Sequence, residues 1–282
     1  AWMLARRPLD QSWPALILMA YVAYPQLDLQ VAWRVMAVTL VTFLLVAFNH
    51  RRSATRTQSS VRAGWNATLL PAVGLALAFF LLYVLTLAPD VLAADGGELQ
   101  IVAAQLGVAH PPGFPLYVMA AHLFTWLLPF LSPAYAVNLF SAVAGALAVG
   151  VVYVTAVLIT RKPLPGIIAA VALGSATTYW SQATTANVRS LTALFAALIL
   201  FALMWYRSAV IEGDRRAADR RLTLVALFMA FGVTHHVSLL FLILLGLIFV
   251  FMVEPALLRS PRRWVRPIAA GALGLLPWLY LP

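Results

Sequence analysis

Long apolar runs alternate with short polar or basic segments along the whole chain. A helix needs about 20 apolar residues to cross the hydrocarbon core of a bilayer, with a range of about 17–25. Nine runs reach or approach that length, and they cover residues 13–29, 31–48, 68–88, 134–160, 164–181, 190–206, 222–235, 237–253 and 267–281. The pattern therefore predicts an all-α polytopic membrane protein with about nine transmembrane helices.

The apolar run 116–131 differs from the nine others, because prolines bracket it and His122 lies inside it. It can either cross the membrane or lie along its surface. Basic residues cluster in five other segments, at 6–7, 51–62, 161–162, 207–221 and 259–266. If 116–131 lies along the membrane surface without crossing, all five clusters fall on one side, and Lys and Arg are typical of cytoplasmic loops. The sequence therefore predicts a cytoplasmic N-terminus and a large external loop, 89–133, that carries an interfacial helix.

The composition agrees with this class and excludes others. Hydrophobic residues make up 63% of the 282 residues and charged residues only 10%, whereas soluble domains carry about 25% charged residues. A soluble enzyme, a secreted domain and a disordered protein are thereby excluded. The net charge of +10 is explained by cytoplasmic loops and does not indicate a nucleic-acid partner. The sequence contains no cysteine, so a thiol nucleophile and a disulfide framework are excluded.

The basic linker 49–66 divides the chain into two parts. The first two apolar runs are interpreted as a helical hairpin, which forms an N-terminal module over 1–66 together with the linker. Residues 67–282 form the main transmembrane domain and include the external loop.

An acidic pair, Asp95 and Glu98, flanks two glycines directly after an apolar run. A carboxylate in this position can act as a general base toward a hydroxyl or help to bind a divalent cation. The alternative is a helix cap, in which Asp95 caps a helix that begins near Gly96 and Glu98 occupies its third position.

His110 stands before two prolines and a glycine, a combination that predicts a rigid turn because each proline fixes its own φ and restricts the preceding residue. A histidine held in this way beside carboxylates can position a substrate or share a proton. The alternative is a histidine that is hydrogen-bonded within its own turn.

Other polar residues of the external side lie near the ends of the later runs. Arg189 offers a bidentate donor to an anionic phosphate, with snorkelling to the interface as the alternative. Of His235 and His236, one can face an external cavity while the other is packed and hydrogen-bonded. Asn138 is predicted to make an interhelical hydrogen bond, and Arg34 to snorkel.

Six segments occur in an order that resembles a known family: DGGEL, HPPGFPLY, AVNLFSA, SQATTANVRSL, GVTHH and LLPWLYLP. Together they resemble the transmembrane protein 260-type O-mannosyltransferases and their bacterial relatives. The resemblance covers roughly residues 68–282. Its most specific part is the HPPG turn with the acidic pair upstream of it.

The resemblance implies a GT-C-like bundle, the fold of the C-type glycosyltransferases, with helices lying along the membrane in the first external loop. It implies an inverting enzyme that transfers a sugar from a polyprenyl-phosphate carrier to an acceptor hydroxyl on the non-cytoplasmic face. It also implies that Asp95 is the catalytic base with Glu98 beside it, and that His110 organises the loop. His235 and His236 match the family's polar turn near the cavity.

Two positions depart from the family, since relatives tend to have a glutamate and a tyrosine where this chain has Asn187 and Arg189. Relatives also continue beyond LYLP, so the chain is expected to be truncated at its C-terminus. Expected partners are membrane lipids, the lipid-linked sugar donor and a protein or glycan acceptor, and the expected location is a bacterial plasma membrane.

Two alternatives to a glycosyltransferase remain at this point. One is a non-catalytic subunit of a larger membrane complex, in which the fold is retained and other membrane subunits are the partners. The other is a flippase or transporter of the lipid carrier, which the lack of a visible internal repeat disfavours.

Overall fold

A computed structural model describes residues 30–31, 34–38, 41–42 and 65–282. Most of the predicted N-terminal hairpin, including the run 13–29, lies outside the described residues. From residue 65 onward the chain forms ten α-helices: α1 Trp65–Leu85, α2 Ala94–Gln105, α3 Pro115–Leu127, α4 Pro133–Thr160, α5 Pro163–Ser175, α6 Thr177–Ala183, α7 Arg189–Glu212, α8 Arg215–His235, α9 Leu239–Val253 and α10 Val265–Gly274. Short 3₁₀ helices cover Pro255–Arg259, Pro261–Trp264 and Leu276–Tyr280.

The described residues contain helices and turns without a β-strand, which confirms the prediction of an all-α membrane protein. In the described part of the chain, α1, α4 and α7 are long and apolar enough to cross a bilayer. Helix α4 lies at the centre, and α1, α5 and α7 pack around it. Small residues such as Ala142 and Ala146 are buried on α4, and small side chains allow membrane helices to approach closely.

The prediction of one continuous span over 164–181 is wrong, because α5 ends at Ser175 and α6 begins at Thr177. Between them, Ala176 has an extended backbone with ψ 126°. The Tyr83 hydroxyl donates to the carbonyl of Gly174 at 2.9 Å, so a side chain of α1 satisfies a carbonyl at the point where the helix breaks. An α-helix of 13 residues is about 20 Å long, which is shorter than the hydrocarbon core of about 30 Å.

Two further runs that were predicted as spans, 222–235 and 267–281, form helices with different limits. Helix α8 begins at Arg215 rather than at 222, because the side chain of Asp214 caps it by accepting from the backbone N–H of Ala217 at 2.9 Å. The predicted span 267–281 is divided into α10 and a 3₁₀ helix. Pro277 lies in that 3₁₀ helix, and a proline cannot donate the backbone hydrogen bond that would continue an α-helix.

The first loop, residues 86–132, contains α2 and α3. Helix α3 has 13 residues and is too short to span a bilayer, in agreement with the predicted interfacial helix. One side of α3 packs on the bundle through Tyr117 and Ala121. On the other side, Leu123 and Trp126 are exposed. The end of the bundle that carries this loop is called the loop end below.

Asn138 and Gln100 form a buried amide pair that fixes the loop end. The Gln100 side-chain amide donates to the Asn138 side-chain oxygen at 2.9 Å, which confirms the predicted interhelical hydrogen bond of Asn138. The Asn138 amide donates to the carbonyl of Ala88 at 2.8 Å, and its oxygen accepts from the backbone N–H of Ala186 at 2.9 Å. The Gln100 oxygen accepts from the backbone N–H of Leu92 at 2.9 Å. The pair therefore joins α2 and α4 to the chain segments that contain Ala88, Leu92 and Ala186.

A second polar cluster lies at the opposite end of the bundle. Arg263, whose side chain is 9% exposed, forms ion pairs with Asp219 and Glu254. The Tyr206 hydroxyl also donates to Glu254, at 2.6 Å. Burial alone would raise the pKa of Glu254, but hydrogen bonds from Arg263 and Tyr206 lower it below its ordinary value. The carboxylate therefore stays ionised and ties α7, α8 and the end of α9 together.

The Asn138→Leu substitution is expected to destabilise the protein by about 3 kcal/mol or more, because each buried polar group left without a partner costs about 1–3 kcal/mol. Thermal unfolding of the detergent-purified protein measures this effect. Thr155→Val is the matched control on the same helix, since the Thr155 hydroxyl donates only to the carbonyl of Val151 four residues earlier. Equal melting temperatures of the two variants would contradict the role given to Asn138.

Candidate functional site

Helix α2 presents the acidic pair, and Asp95 is not its cap. The helix begins at Ala94, its N-cap is Ala93 without a side-chain hydrogen bond, and Asp95 lies inside the first turn. The capping interpretation of Asp95 is therefore wrong. A carboxylate in the first turn is stabilised by the helix dipole, and this one is exposed. At Gly97 a Cβ would collide with the carbonyl oxygen of Leu92, so only glycine permits the tight approach that places Asp95 and Glu98 on this turn.

Glu98 and His110 form a two-point contact between α2 and the HPPG turn. The backbone N–H of His110 donates to Glu98 Oε1 at 2.7 Å, and His110 Nδ1 lies 2.8 Å from Oε2. An ionised carboxylate only accepts, so Nδ1 of His110 carries the hydrogen of this contact. These two hydrogen bonds, first from the side chain and then from the backbone, lower the pKa of Glu98. His110 thus joins the HPPG turn to α2, while its role in organising the loop stays a prediction.

Asp95, Glu98 and His110 come together as one cluster. One potential ligand atom from each residue lies within 4.8 Å of the other two. Carboxylate oxygens and an imidazole nitrogen suit a divalent cation such as Mn²⁺ or Mg²⁺, so these three residues are the ones that could hold it. The described residues offer the Asp95 side chain no hydrogen bond or ion pair, and its carboxylate is exposed.

Phe114 links the HPPG turn to the turn after α8. Its ring meets His110 edge-on at 5.3 Å between centroids and stacks on His236 at 5.6 Å. Phe114 has a φ of +45°, and Ala94 and Leu106 in the same loop also have positive φ. Such left-handed conformations cost about 1–2 kcal/mol in non-glycine residues and tend to cluster at functional sites. Phe114 was not among the site residues predicted from the sequence, although it directly follows the turn HPPG.

The loop before α7 carries Arg189 on a hydrogen-bonded frame. Asn187 Oδ1 accepts from the backbone N–H of Arg189 at 2.9 Å and of Ser190 at 3.3 Å. One guanidinium nitrogen of Arg189 donates to the Gln182 side chain at 3.1 Å, while the side chain as a whole is exposed. Asn187 therefore has a structural task at the start of α7, and Arg189 presents its remaining donors to the loop end.

The two adjacent histidines occupy different environments. His236 is half-buried, and its Nδ1 accepts from the backbone N–H of Ser238 at 3.2 Å, so Nε2 carries the hydrogen of the neutral ring. Burial, and then the positive charge of Arg189, lower the pKa of His236. His235 is only 1% exposed, and its Nε2 lies 2.9 Å from the carbonyl of Val188. Of the two histidines, His235 is therefore the packed and hydrogen-bonded one, and a direct ligand contact is expected only of His236.

Most of the predicted site residues lie at the loop end, where we call Asp95, Glu98, His110, Arg189 and His236, together with Phe114, the rim. Asp95, Glu98 and His110 lie together, Phe114 connects them to His236, and the charge of Arg189 acts on His236. His235 lies under this rim. The arrangement brings carboxylates for proton transfer and cationic or N–H donors for an anion to the same end of the bundle.

Comparisons with known proteins agree with the motifs that build this rim. A family model described as the Protein O-mannosyl-transferase TMEM260 N-terminal domain matches residues 95–258. The chain is 31% identical over 207 residues to the Protein O-mannosyl-transferase TMEM260 of Mus musculus, covering 71% of this chain and 28% of that protein. It is 29% identical over 186 residues to the Protein O-mannosyl-transferase tmem260 of Dictyostelium discoideum, covering 63% of this chain and 23% of that protein.

The chain thus spans about a quarter of the length of these curated relatives. No solved structure matches it significantly. The family match begins at Asp95 and includes the acidic pair, the HPPG turn, Arg189 and both histidines. This chain therefore belongs to the TMEM260 N-terminal domain family.

Proposed function

We propose that this chain forms the sugar-transfer part of a membrane glycosyltransferase. The proposed reaction moves a sugar, as in the relatives named O-mannosyl-transferases, from a polyprenyl-phosphate carrier to an acceptor hydroxyl on the non-cytoplasmic face. The observation that carries the proposal is the rim itself, where the Asp95 carboxylate lies across Phe114 from the imidazole of His236 and the guanidinium of Arg189. The bacterial plasma membrane stays a prediction, since the two relatives come from eukaryotes.

Asp95 is the better candidate for the base. Both oxygens of Glu98 accept hydrogen bonds from His110, and the lowered pKa of Glu98 makes it a weaker base. In the proposed step Asp95 accepts the proton of the acceptor hydroxyl while the acceptor oxygen forms a bond to the anomeric carbon. The bond from that carbon to the phosphate oxygen breaks, the carrier phosphate leaves with the electron pair, and the configuration inverts.

Arg189 and His236 face the leaving phosphate in this proposal. The guanidinium of Arg189 retains donors beyond the one used by Gln182, and a planar guanidinium suits a phosphate well. His236 donates from Nε2 because Ser238 occupies Nδ1. Glu98 and His110 hold the HPPG turn against α2 and so fix Asp95 relative to this pair.

Asp95→Asn is expected to reduce transfer by about 100-fold or more, because a general base contributes about 10²–10⁴-fold. The assay measures transfer of mannose from polyprenyl-phosphate mannose to an acceptor peptide by membranes that contain the protein. Asp90→Asn is the matched control, since Asp90 lies in the same loop and its side chain bonds only the adjacent backbone N–H of Val91. Unchanged turnover in the Asp95 variant, at normal expression, would refute the role of this carboxylate.

Arg189→Ala is expected to raise the donor KM by about 10–100-fold, since hydrogen bonds to charged groups contribute about 1.5–3 kcal/mol. The same transfer assay, run as a titration of the lipid donor, measures this change. Arg207→Ala is the control, because Arg207 is an exposed arginine near the other end of the same helix. A donor KM that Arg189→Ala leaves at the wild-type value would exclude the phosphate contact.

His110→Ala is expected to move the acidic limb of the pH–rate profile to higher pH. In the wild type the hydrogen bonds from His110 keep Glu98 ionised to a pH below its ordinary pKa, and the order that this contact gives the loop is lost as the pH falls through that lowered value. Without the imidazole, Glu98 protonates at a pH nearer its ordinary pKa, which is higher. His122→Asn is the control, because His122 bonds the carbonyl of Ala103 on the inner side of α3. Superimposable acidic limbs for the wild type and His110→Ala would argue against this coupling.

A further inference from the structure

His235 is a buried imidazole, and its hydrogen-bonding contacts are with the carbonyl of Val188 and with the Thr192 hydroxyl that bonds the same carbonyl. Its Nε2 lies 2.9 Å from the carbonyl oxygen of Val188 and 3.0 Å from the hydroxyl of Thr192. The Thr192 hydroxyl and backbone N–H donate to the same carbonyl, at 2.9 and 3.0 Å. A carbonyl only accepts, so Nε2 carries the hydrogen. His235 thus adds a third donor to Val188, beyond those that α7 itself provides.

The other contacts of the ring are with aromatic rings, one of which is His236 at 6.1 Å between centroids. Tyr117 and Phe195 lie against it with centroids at 6.2 and 6.0 Å. Nδ1 is buried and has no hydrogen-bond partner among the described residues. A phenylalanine would satisfy this packing as well as histidine does. The feature that needs an imidazole here is therefore the hydrogen bond to Val188.

Val188 immediately precedes Arg189, so its carbonyl belongs to the peptide unit that carries Arg189 into the site. The same loop is held on its other side, where the backbone N–H of Ala186 donates to Asn138. With both contacts present, the segment 186–189 is fixed to α4 at one point and to α8 at another. Removing the contact at Val188 takes away the tie of this segment to α8, so that only its local contacts through Asn187, Gln182 and Thr192 still hold the end that bears the guanidinium.

We propose that His235 is a positioning residue that fixes Arg189 through the Val188 carbonyl, and so sets the affinity of the site for the donor phosphate without touching the donor. This inference rests on the proposed function for its effect on affinity, while its structural part stands on the contacts alone. Since His236 faces the rim and His235 faces Val188, the end of α8 both presents one donor to the site and positions another.

The kinetic test compares His235→Phe, which keeps the aromatic packing and loses the donor, with His235→Gln, which restores a donor at a similar distance along the side chain. Donor KM and kcat are measured with polyprenyl-phosphate mannose. His235→Phe is expected to raise the donor KM about tenfold with kcat changed less than about twofold, and His235→Gln is expected to recover most of that loss. In an Arg189→Ala background His235→Phe is expected to have no further effect, because coupled residues are not additive.

A second measurement does not depend on catalysis. The chain has no cysteine, so spin labels at Gln105→Cys and Thr185→Cys report the distance between the end of α2 and the loop before α7. His235→Phe is expected to broaden the distance distribution, and His235→Gln to keep it narrow. If His235→Phe does not fold, Thr192→Val tests the same carbonyl, because it removes the other side-chain donor, and it is expected to broaden the distribution as well.

The outcomes separate the two proposals. If the wild type transfers no sugar but His235→Phe, or Thr192→Val in its place, broadens the distance, the proposed function fails and the positioning of the loop stands. If the distance stays narrow and the donor KM stays at the wild-type value, the role of His235 is overturned. Full additivity of His235→Phe with Arg189→Ala would also overturn it.

Discussion

The loop end of this protein depends on the buried amides of Asn138 and Gln100. Backbone groups of a membrane protein that are shielded from water must find partners within the protein, and the irregular segments 88–92 and 184–188 supply only some of these partners, such as the carbonyl of Thr184 for the N–H of Ala88. The two side chains, 0% and 3% exposed, donate to or accept from Ala88, Leu92 and Ala186. Because each amide both donates and accepts, two residues order chain segments that are nearly a hundred positions apart.

This constraint explains why chemistry is concentrated at one end of the bundle. Leu92 leads into α2 and its acidic pair, and Ala186 leads into Arg189, so the segments that carry opposite charges are both tied to α4 through Asn138 and Gln100. The cluster at the opposite end differs because its charges are neutralised by one another: Arg263 forms ion pairs with Asp219 and Glu254. The charges of this cluster are paired and stabilise the packing, whereas Asp95 and most of the Arg189 guanidinium at the loop end remain available.

The four histidines of the loop end make different contacts, because each ring packs in a different environment. His110 donates to Glu98, His122 bonds the carbonyl of Ala103, His235 holds Val188, and His236 stacks on Phe114. Only His110 and His236 have rings at the rim. Enclosure removes His235 from direct contact with a ligand but makes its single hydrogen bond stronger, because a low local dielectric strengthens such a bond.

The sequence by itself determined the all-α membrane class, a short helix within 116–131, the interhelical hydrogen bond of Asn138 and the choice of Asp95, Glu98 and His110 as candidate residues, which the structure brings together. These follow from apolar length, proline positions and residue type, which are local properties of the chain. Only the tertiary structure decided that Asp95 is not a cap, that Tyr83 meets the break between α5 and α6, and that His235 rather than His236 is buried. Each of these depends on hydrogen bonds or packing between residues far apart in sequence, such as Tyr83 with Gly174 and His235 with Val188. A local pattern cannot specify such partners, because they are selected only when the helices pack against one another.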